Sequence, residues 1–191
     1  MTENRFSPET ILANLPKGKK PPLHLWHPER EVAMDMRIAR DGSWYHDGGK
    51  ISRQRMVKLF STILRKDDER YFLVTPMEKV AIVVEDAPFV AVEMTVHGQG
   101  REQVLTFRSN VDDEVMAGPD HRIRVVINGT DEAPSPYIHI RDGLEALLTR
   151  AVFYELVDLA YDYIESTGDG DLDTLGVWSA GIYFPLSEEK V

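Results

Sequence analysis

The sequence predicts an α+β fold built from two small halves. Short apolar runs alternate with glycine-rich and acidic turns along most of the chain, which indicates strands joined by tight connections. Two other stretches, near residues 52–65 and 144–165, carry apolar residues at helical spacing. At 191 residues the chain exceeds a typical domain of about 100 to 150 residues, so two small domains or one enlarged domain both fit.

Residues 1–32 are expected to form a short helix followed by a proline-rich linker. Ser7 is a possible N-cap, and Pro8 suits the first helical position. Apolar residues follow on one helical face. Prolines and glycines from Pro16 to Pro28 then favour an extended linker.

Residues 33–89 are expected to form an N-terminal α+β domain. Asp41-Gly42 and Asp47-Gly48-Gly49 predict the turns of a hairpin of short strands. A helix is expected to begin after Ser52 as N-cap and to end near Arg65. The stretch YFLVTPMEKVAIVVEDAPFVA then predicts two strands separated by a turn at Pro76.

Residues 90–191 are expected to form an antiparallel meander capped by a long helix. Three or four short strands are indicated up to residue 128. The sequence Asp142-Gly143-Leu144-Glu145 resembles a helix start, and the helix should run to about Glu165. The segment VWSAGIYFPLS then predicts a closing strand or hairpin.

Two stretches of the chain look alike. IARDG followed by RMVKLFSTIL is echoed by HIRDG followed by RAVFYELVDLA, which aligns Arg55 with Arg150. This similarity predicts a duplicated strand-turn-helix motif, although the residues are common ones and coincidence remains an alternative.

Composition excludes several classes of function. A formal net charge of -10 disfavours binding to nucleic acid or to an anionic membrane. The absence of cysteine removes disulfides and thiolate metal sites. The first thirty residues lack the apolar core of a signal peptide and no later run reaches transmembrane length, so we expect a cytoplasmic protein.

Cations gather where the helix of the N-terminal half should begin. Lys50 precedes Ser52, and Arg53 and Arg55 follow it. Cations in a first helical turn oppose the helix dipole by about 0.3 to 1 kcal/mol each, so an acidic group should face them. Either a structural ion pair or a bound phosphate or carboxylate ligand meets this need. The candidate structural partners are Glu78, Glu85 and Asp86.

The turn TPMEK and Trp178 supply the other candidate residues. Thr75, Glu78 and Lys79 lie where one predicted strand ends and the next begins. This position suits either a ligand-binding site or a set of structural ion pairs. Trp178 lies among glycines and offers a stacking surface for a ligand, with core packing as the alternative. Asp169, Asp171 and Asp173 copy the opening of a calcium loop but lack its glycine and closing glutamate, and we expect no metal, cofactor or catalytic residue.

Four segments carry a family resemblance. They are RIARDGSWYHDGG, LFSTILRK, YFLVTPMEKVAIVVEDAPFVAVEM and PYIHIRDGLEALLTRAVFYEL. Together they resemble the bacterial family known as domain of unknown function 1285, over nearly the whole chain after Trp26. The family pattern has proline at the position of Lys50, so any role of Lys50 would be peculiar to this protein.

The resemblance implies a fold and a class of function. It implies an α+β core with a duplicated motif, and a C-terminal half like pleckstrin-homology domains. It also implies a ligand site between the two halves, for a nucleotide-like molecule, and a role in signal transduction. No activity is established for the family.

We therefore expect a ligand-binding protein that holds an anionic or nucleotide-like small molecule between its halves. Two alternatives stay open: a small hydrolase-like enzyme with Glu78 as base, and a non-catalytic adaptor that binds a protein through an edge strand. The expected ligand-binding residues are Arg53, Arg55, Thr75, Glu78, Lys79 and Trp178.

Overall fold

The computed structural model describes residues 21–127, 133–167 and 174–186. The chain divides into two compact units, Met1–Pro88 and Phe89–Val191. The N-terminal helix expected after Ser7 and the aspartates at 169, 171 and 173 lie outside the described residues.

The N-terminal unit contains a six-stranded sheet and one α-helix. Its strands are β1 (Glu31–Ile38), β2 (Trp44–His46), β3 (Gly49–Lys50), β4 (Leu64–Asp67), β5 (Arg70–Val74) and β6 (Lys79–Val84), and its helix is α1 (Gln54–Thr62). The strand order is β3-β2-β1-β6-β5-β4. The pair β1–β6 at the centre is parallel, and the other pairs are antiparallel.

Tight turns join the hairpins, as the sequence predicts. Asp47 and Gly48 link β2 to β3 with φ of 46° and 75°. This left-handed conformation is the one that two-residue hairpin turns require, and Asp-Gly adopts it readily.

Helix α1 packs through one apolar face against the sheet. Phe60 is fully buried, and its ring stacks on that of Trp44 at a centroid distance of 5.9 Å. The helix begins one residue later than the sequence predicts, because Arg53 rather than Ser52 occupies the N-cap position. It ends at Thr62 rather than near Arg65, because Leu64 already belongs to β4.

The C-terminal unit contains a second six-stranded sheet, a long helix and a separate hairpin. The strands of the sheet are β7 (Phe89–His97), β8 (Val104–Ser109), β9 (Glu114–Met116), β10 (Ile123–Val126), β11 (Ser135–Arg141) and β12 (Leu144–Leu148). The helix is α2 (Arg150–Thr167), and the hairpin consists of β13 (Gly176–Ser179) and β14 (Ile182–Pro185). The strand order of the sheet is β10-β11-β12-β7-β8-β9.

Two predictions for this unit are wrong. Residues Leu144–Leu148 form a strand and not a helix start, because Asp142 and Gly143 adopt φ of 47° and 74° and turn the chain back against β11. The sheet is mixed and not an antiparallel meander, because β12 pairs in parallel with β7. Helix α2 begins at Arg150, where Thr149 Oγ1 accepts a hydrogen bond from the backbone N–H of Val152.

The two sheets share one topology, in which two three-stranded meanders meet where the first strand lies beside the last. The duplicated strand-turn-helix motif is nevertheless not confirmed. Asp41-Gly42 lies between the first two strands of its sheet, whereas Asp142-Gly143 lies between the last two. Helix α1 follows the third strand of its unit and α2 follows the sixth, so Arg55 and Arg150 do not occupy equivalent places.

The closing hairpin β13–β14 is confirmed, and a buried serine ties it to the second sheet. Ser179 Oγ accepts a hydrogen bond from Leu105 N at 3.0 Å and donates one to Ala117 O at 2.8 Å. Ser179 therefore joins β8 to the segment that follows β9.

Candidate functional site

A pocket of about 330 Å³ lies at the start of α1 in the N-terminal unit. Residues of the β2–β3 hairpin and of the first helical turn line it, and we call it the basic pocket. The side chains that define it are His46, Lys50, Ile51, Ser52, Arg53 and Met56.

Positive charge dominates the basic pocket. Lys50 and Arg53 are both exposed and form no ion pair with a carboxylate of the described residues. No carboxylate belongs to the described lining, but Asp47 Oδ2 lies 3.6 Å from Nδ1 of the lining residue His46, and the charge of Lys50 acts on Asp41. Hydrogen bonds from Ser43 chiefly lower the pKa of Asp41, and the charge of Lys50 lowers it further. The sequence singles out Lys50 and Arg53, but it does not reveal His46, which the β2–β3 pairing brings opposite Gly49.

The TPMEK turn uses Thr75 to close itself. Thr75 Oγ1 accepts a hydrogen bond from Glu78 N at 3.1 Å and another from Met77 N at 3.3 Å, and it donates one to Glu78 O at 3.1 Å. Thr75 is buried. Its hydroxyl therefore has a structural role in joining β5 to β6, as expected of a threonine in a turn.

Lys79 lies in a network of charges across β1, β4 and β6. Its Nζ atom is 3.3 Å from Glu31 Oε2 and 3.9 Å from Asp67 Oδ2, and it lies 4.5 Å from the centre of the Phe72 ring. The hydrogen bond from Arg70 is the main cause that lowers the pKa of Glu31. The hydrogen bond from Lys79 lowers this pKa further. Arg65 also binds Asp67, with 2.7 Å from Nε to Oδ1 and 2.9 Å from Nη2 to Oδ2.

The acidic residues pair with cations other than those that the sequence suggests. Glu85 binds Arg37, and Asp86 Oδ2 is 3.0 Å from Arg40 Nε. Glu78 Oε2 lies 3.9 Å from Arg30 Nη1. The prediction that these acids pair with the arginines at positions 53 and 55 is therefore wrong. The parallel pairing of β1 with β6 instead brings Arg30 to Glu78 at the amino ends of the two strands, and Arg37 and Arg40 to Glu85 and Asp86 at their carboxyl ends.

Arg55 and Trp178 lie outside the basic pocket. Arg55 is exposed on α1 and has no ion pair among the described residues. The Trp178 ring is covered by the Arg101 guanidinium at 5.1 Å and contacts Tyr183 at a centroid distance of 5.2 Å. Its Nε1–H is buried and finds no acceptor in the part of the chain that the structure describes. A role of either residue in ligand binding stays a prediction.

We expect Lys79→Ala to lower the free energy of unfolding by about 1 kcal/mol, because it removes a half-buried cation that lies over the Phe72 ring, while Arg70 and Arg65 still pair with Glu31 and Asp67. The matched control is Arg55→Ala, which removes an exposed cation and should change that free energy by less than about 0.5 kcal/mol. Urea denaturation followed by circular dichroism measures both. Equal effects of the two changes would show that the Lys79 network does not stabilise the fold.

Two features are absent from the described residues. No group of three or more histidine, cysteine, aspartate or glutamate residues within 21–127, 133–167 and 174–186 is placed to hold a metal ion. None of the helices in these ranges is long and apolar enough to cross a membrane.

Comparison with known proteins gives one consistent result. The model of the domain of unknown function DUF1285, N-terminal domain, matches residues 21–87, and that of the C-terminal domain matches residues 88–186. A search of curated protein sequences finds no match.

Two solved structures are similar to this chain. A DUF1285 family protein from Silicibacter pomeroyi DSS-3 is 46% identical, with a TM-score of 0.83 over 94% of this chain and 93% of that one. A DUF1285 family protein from Shewanella baltica OS155 is 30% identical, with a TM-score of 0.51 over 65% of this chain and 91% of that one. The likeness to pleckstrin-homology domains is not confirmed by these comparisons. Both family models and both structures agree, and the chain belongs to the DUF1285 family.

Proposed function

We propose that the protein binds a small anionic molecule, one that carries a phosphate or carboxylate group, in the basic pocket. The observation that carries this proposal is the concave site lined by Lys50 and Arg53, whose charges no carboxylate of the described residues neutralises through an ion pair. Thr75, Glu78 and Lys79 are engaged in the turn and in ion pairs, so the proposal does not use them.

The local backbone supports anion binding. No side chain of the described residues caps the N-terminus of α1, and its first turn contains no acidic residue. The free N–H groups and the dipole of a helix N-terminus favour negative charge, by about 0.3 to 1 kcal/mol per charge at an exposed site. The Arg53 guanidinium adds donors in a planar arrangement that matches phosphate and carboxylate oxygens.

The pocket also has an apolar side that favours more than an inorganic ion. Ile51 and Met56 contribute to its lining beside the cations. A volume of about 330 Å³ is at the lower end of the range for small-molecule sites. A phosphorylated metabolite or a nucleotide fits this combination, and the nucleotide-like ligand and signalling role implied by the family resemblance agree with it.

The test is a thermal-shift screen of nucleotides and phosphorylated metabolites, followed by isothermal titration of the best compound. Ligand at 100 times its dissociation constant should stabilise the protein by about 2.7 kcal/mol. The double variant Lys50→Gln/Arg53→Gln should weaken binding at least tenfold, because each substitution removes a charge while retaining polarity and much of the side-chain length.

Arg55→Gln is the matched control, because it removes an exposed cation from the same helix outside the pocket. If binding falls equally in the control and in the double variant, the ligand is attracted to surface cations of the protein in general and not to the basic pocket. Unchanged binding in the double variant would contradict the proposed site.

A further inference from the structure

The C-terminal unit contains a separate pocket of about 480 Å³. The end of β7 and the loop before β8 form one side, and the second half of α2 forms the other. Six of the residues that line it are Val96, Gln103, Leu159, Asp162, Tyr163 and Ser166. This volume lies within the range of small-molecule sites, and apolar and polar side chains both contribute to the lining.

The charge of this pocket is opposite to that of the basic pocket. Asp162 is the one ionisable acid or base among the described lining side chains apart from the Tyr163 phenol. Its carboxylate forms no ion pair with a described residue. No lining side chain is cationic, and the Arg101 guanidinium reaches the Tyr163 hydroxyl from outside the lining. The carboxylate of Asp162 therefore favours a ligand that brings positive charge beside it.

The uncharged groups also favour a ligand that donates hydrogen bonds. Gln103 is only 4% exposed, and its Nε2 atom donates to Trp178 O at 2.8 Å. That bond fixes the orientation of the amide and leaves Oε1 as its accepting atom. Ser166 Oγ donates to Tyr163 O at 3.0 Å, which leaves the lone pairs of this hydroxyl as acceptors.

The aromatic ring at the pocket is held in place. Arg101 Nε donates to the Tyr163 hydroxyl at 3.1 Å, and the same guanidinium lies over the Trp178 ring. Tyrosine rings attract organic cations through their electron-rich faces. Carboxylate, fixed amide oxygen, hydroxyl oxygen and ring together make a surface that complements an ammonium group.

We propose that this pocket, called the amine pocket, binds a small organic molecule that carries a primary ammonium group. Asp162 supplies the counter-charge, Gln103 and Ser166 accept hydrogen bonds, and Leu159 and Val96 contact the carbon chain. This inference is independent of the proposed anion site, because the two pockets lie in different units and share no residue.

The experiment compares amines with neutral molecules of the same shape. Saturation-transfer NMR and isothermal titration are performed with ethanolamine and 1,4-diaminobutane, and with ethylene glycol and 1,4-butanediol as their uncharged counterparts. At least one amine should bind, and its counterpart should bind at least tenfold more weakly.

Asp162→Asn should reduce the binding of that amine at least tenfold. The matched control is Asp158→Asn, one helical turn earlier on α2, which removes an exposed acid that does not line the pocket. Circular dichroism and thermal unfolding establish that both variants are folded. The proposal is overturned if no amine binds better than its counterpart, or if the two variants lose binding equally, which would show general attraction to an acidic protein.

Discussion

Phe60→Ala is expected to lower the free energy of unfolding by about 3 to 5 kcal/mol, the usual cost of removing a large aromatic side chain from a core. Phe60 is fully buried and stacks on Trp44, so alanine leaves a cavity between α1 and the sheet. The same change should weaken anion binding, because Arg53 at the start of α1 depends on the position of this helix. Urea denaturation followed by circular dichroism measures the first effect, and isothermal titration measures the second.

The neighbouring Leu59 provides a matched control on the same helix. Leu59 is 37% exposed, so Leu59→Ala removes a partly covered aliphatic side chain at the margin of the core and should cost about 1 kcal/mol. If Phe60→Ala costs no more than Leu59→Ala, the stacked pair is not what attaches α1 to the sheet.

Ser179→Ala should cost about 2 to 5 kcal/mol, although it removes only one oxygen atom. The substitution leaves the Leu105 N–H and the Ala117 carbonyl without their buried partner, and each unsatisfied group costs about 1 to 3 kcal/mol. Hydrogen exchange measured by NMR should show faster exchange at the Leu105 amide, and urea denaturation should show the global loss.

Ser52→Ala serves as the control for Ser179→Ala. Ser52 is exposed and makes no side-chain hydrogen bond among the described residues, so the change should be within about 0.5 kcal/mol of zero. Unchanged exchange at Leu105 in Ser179→Ala would rule out the serine as the link between the hairpin and the sheet.

Local signals predict much of the fold. The Asp47-Gly48 turn can be predicted because its residues tolerate left-handed φ. LEALL at residues 144–148 misleads because leucine, alanine and glutamate are good helix formers. Pairing with β11 and β7 overrides that propensity, and it buries Leu144, Ala146 and Leu148 on one face of a strand.

How well a candidate site can be predicted from the sequence depends on how close its residues lie along the chain. Lys50 and Arg53 are three residues apart, so the sequence alone brings their charges together at the start of α1. The partners of Glu85 and Asp86 cannot be predicted in this way, because the parallel pairing of β1 with β6 joins distant parts of the chain. The amine pocket likewise combines β7 with α2, and no motif marks it.

The parallel pairs at the centres of the two sheets have a consequence for biosynthesis. In each sheet the first strand must find the last one, as when Phe89 of β7 pairs with Ala146 of β12. Contacts between such distant residues raise the contact order and slow folding. The entropy of closing the long loop is lost before the contact forms and stabilises the chain. During translation β7 therefore leaves the ribosome without its parallel neighbour, and the second sheet is completed only after residue 148 has emerged.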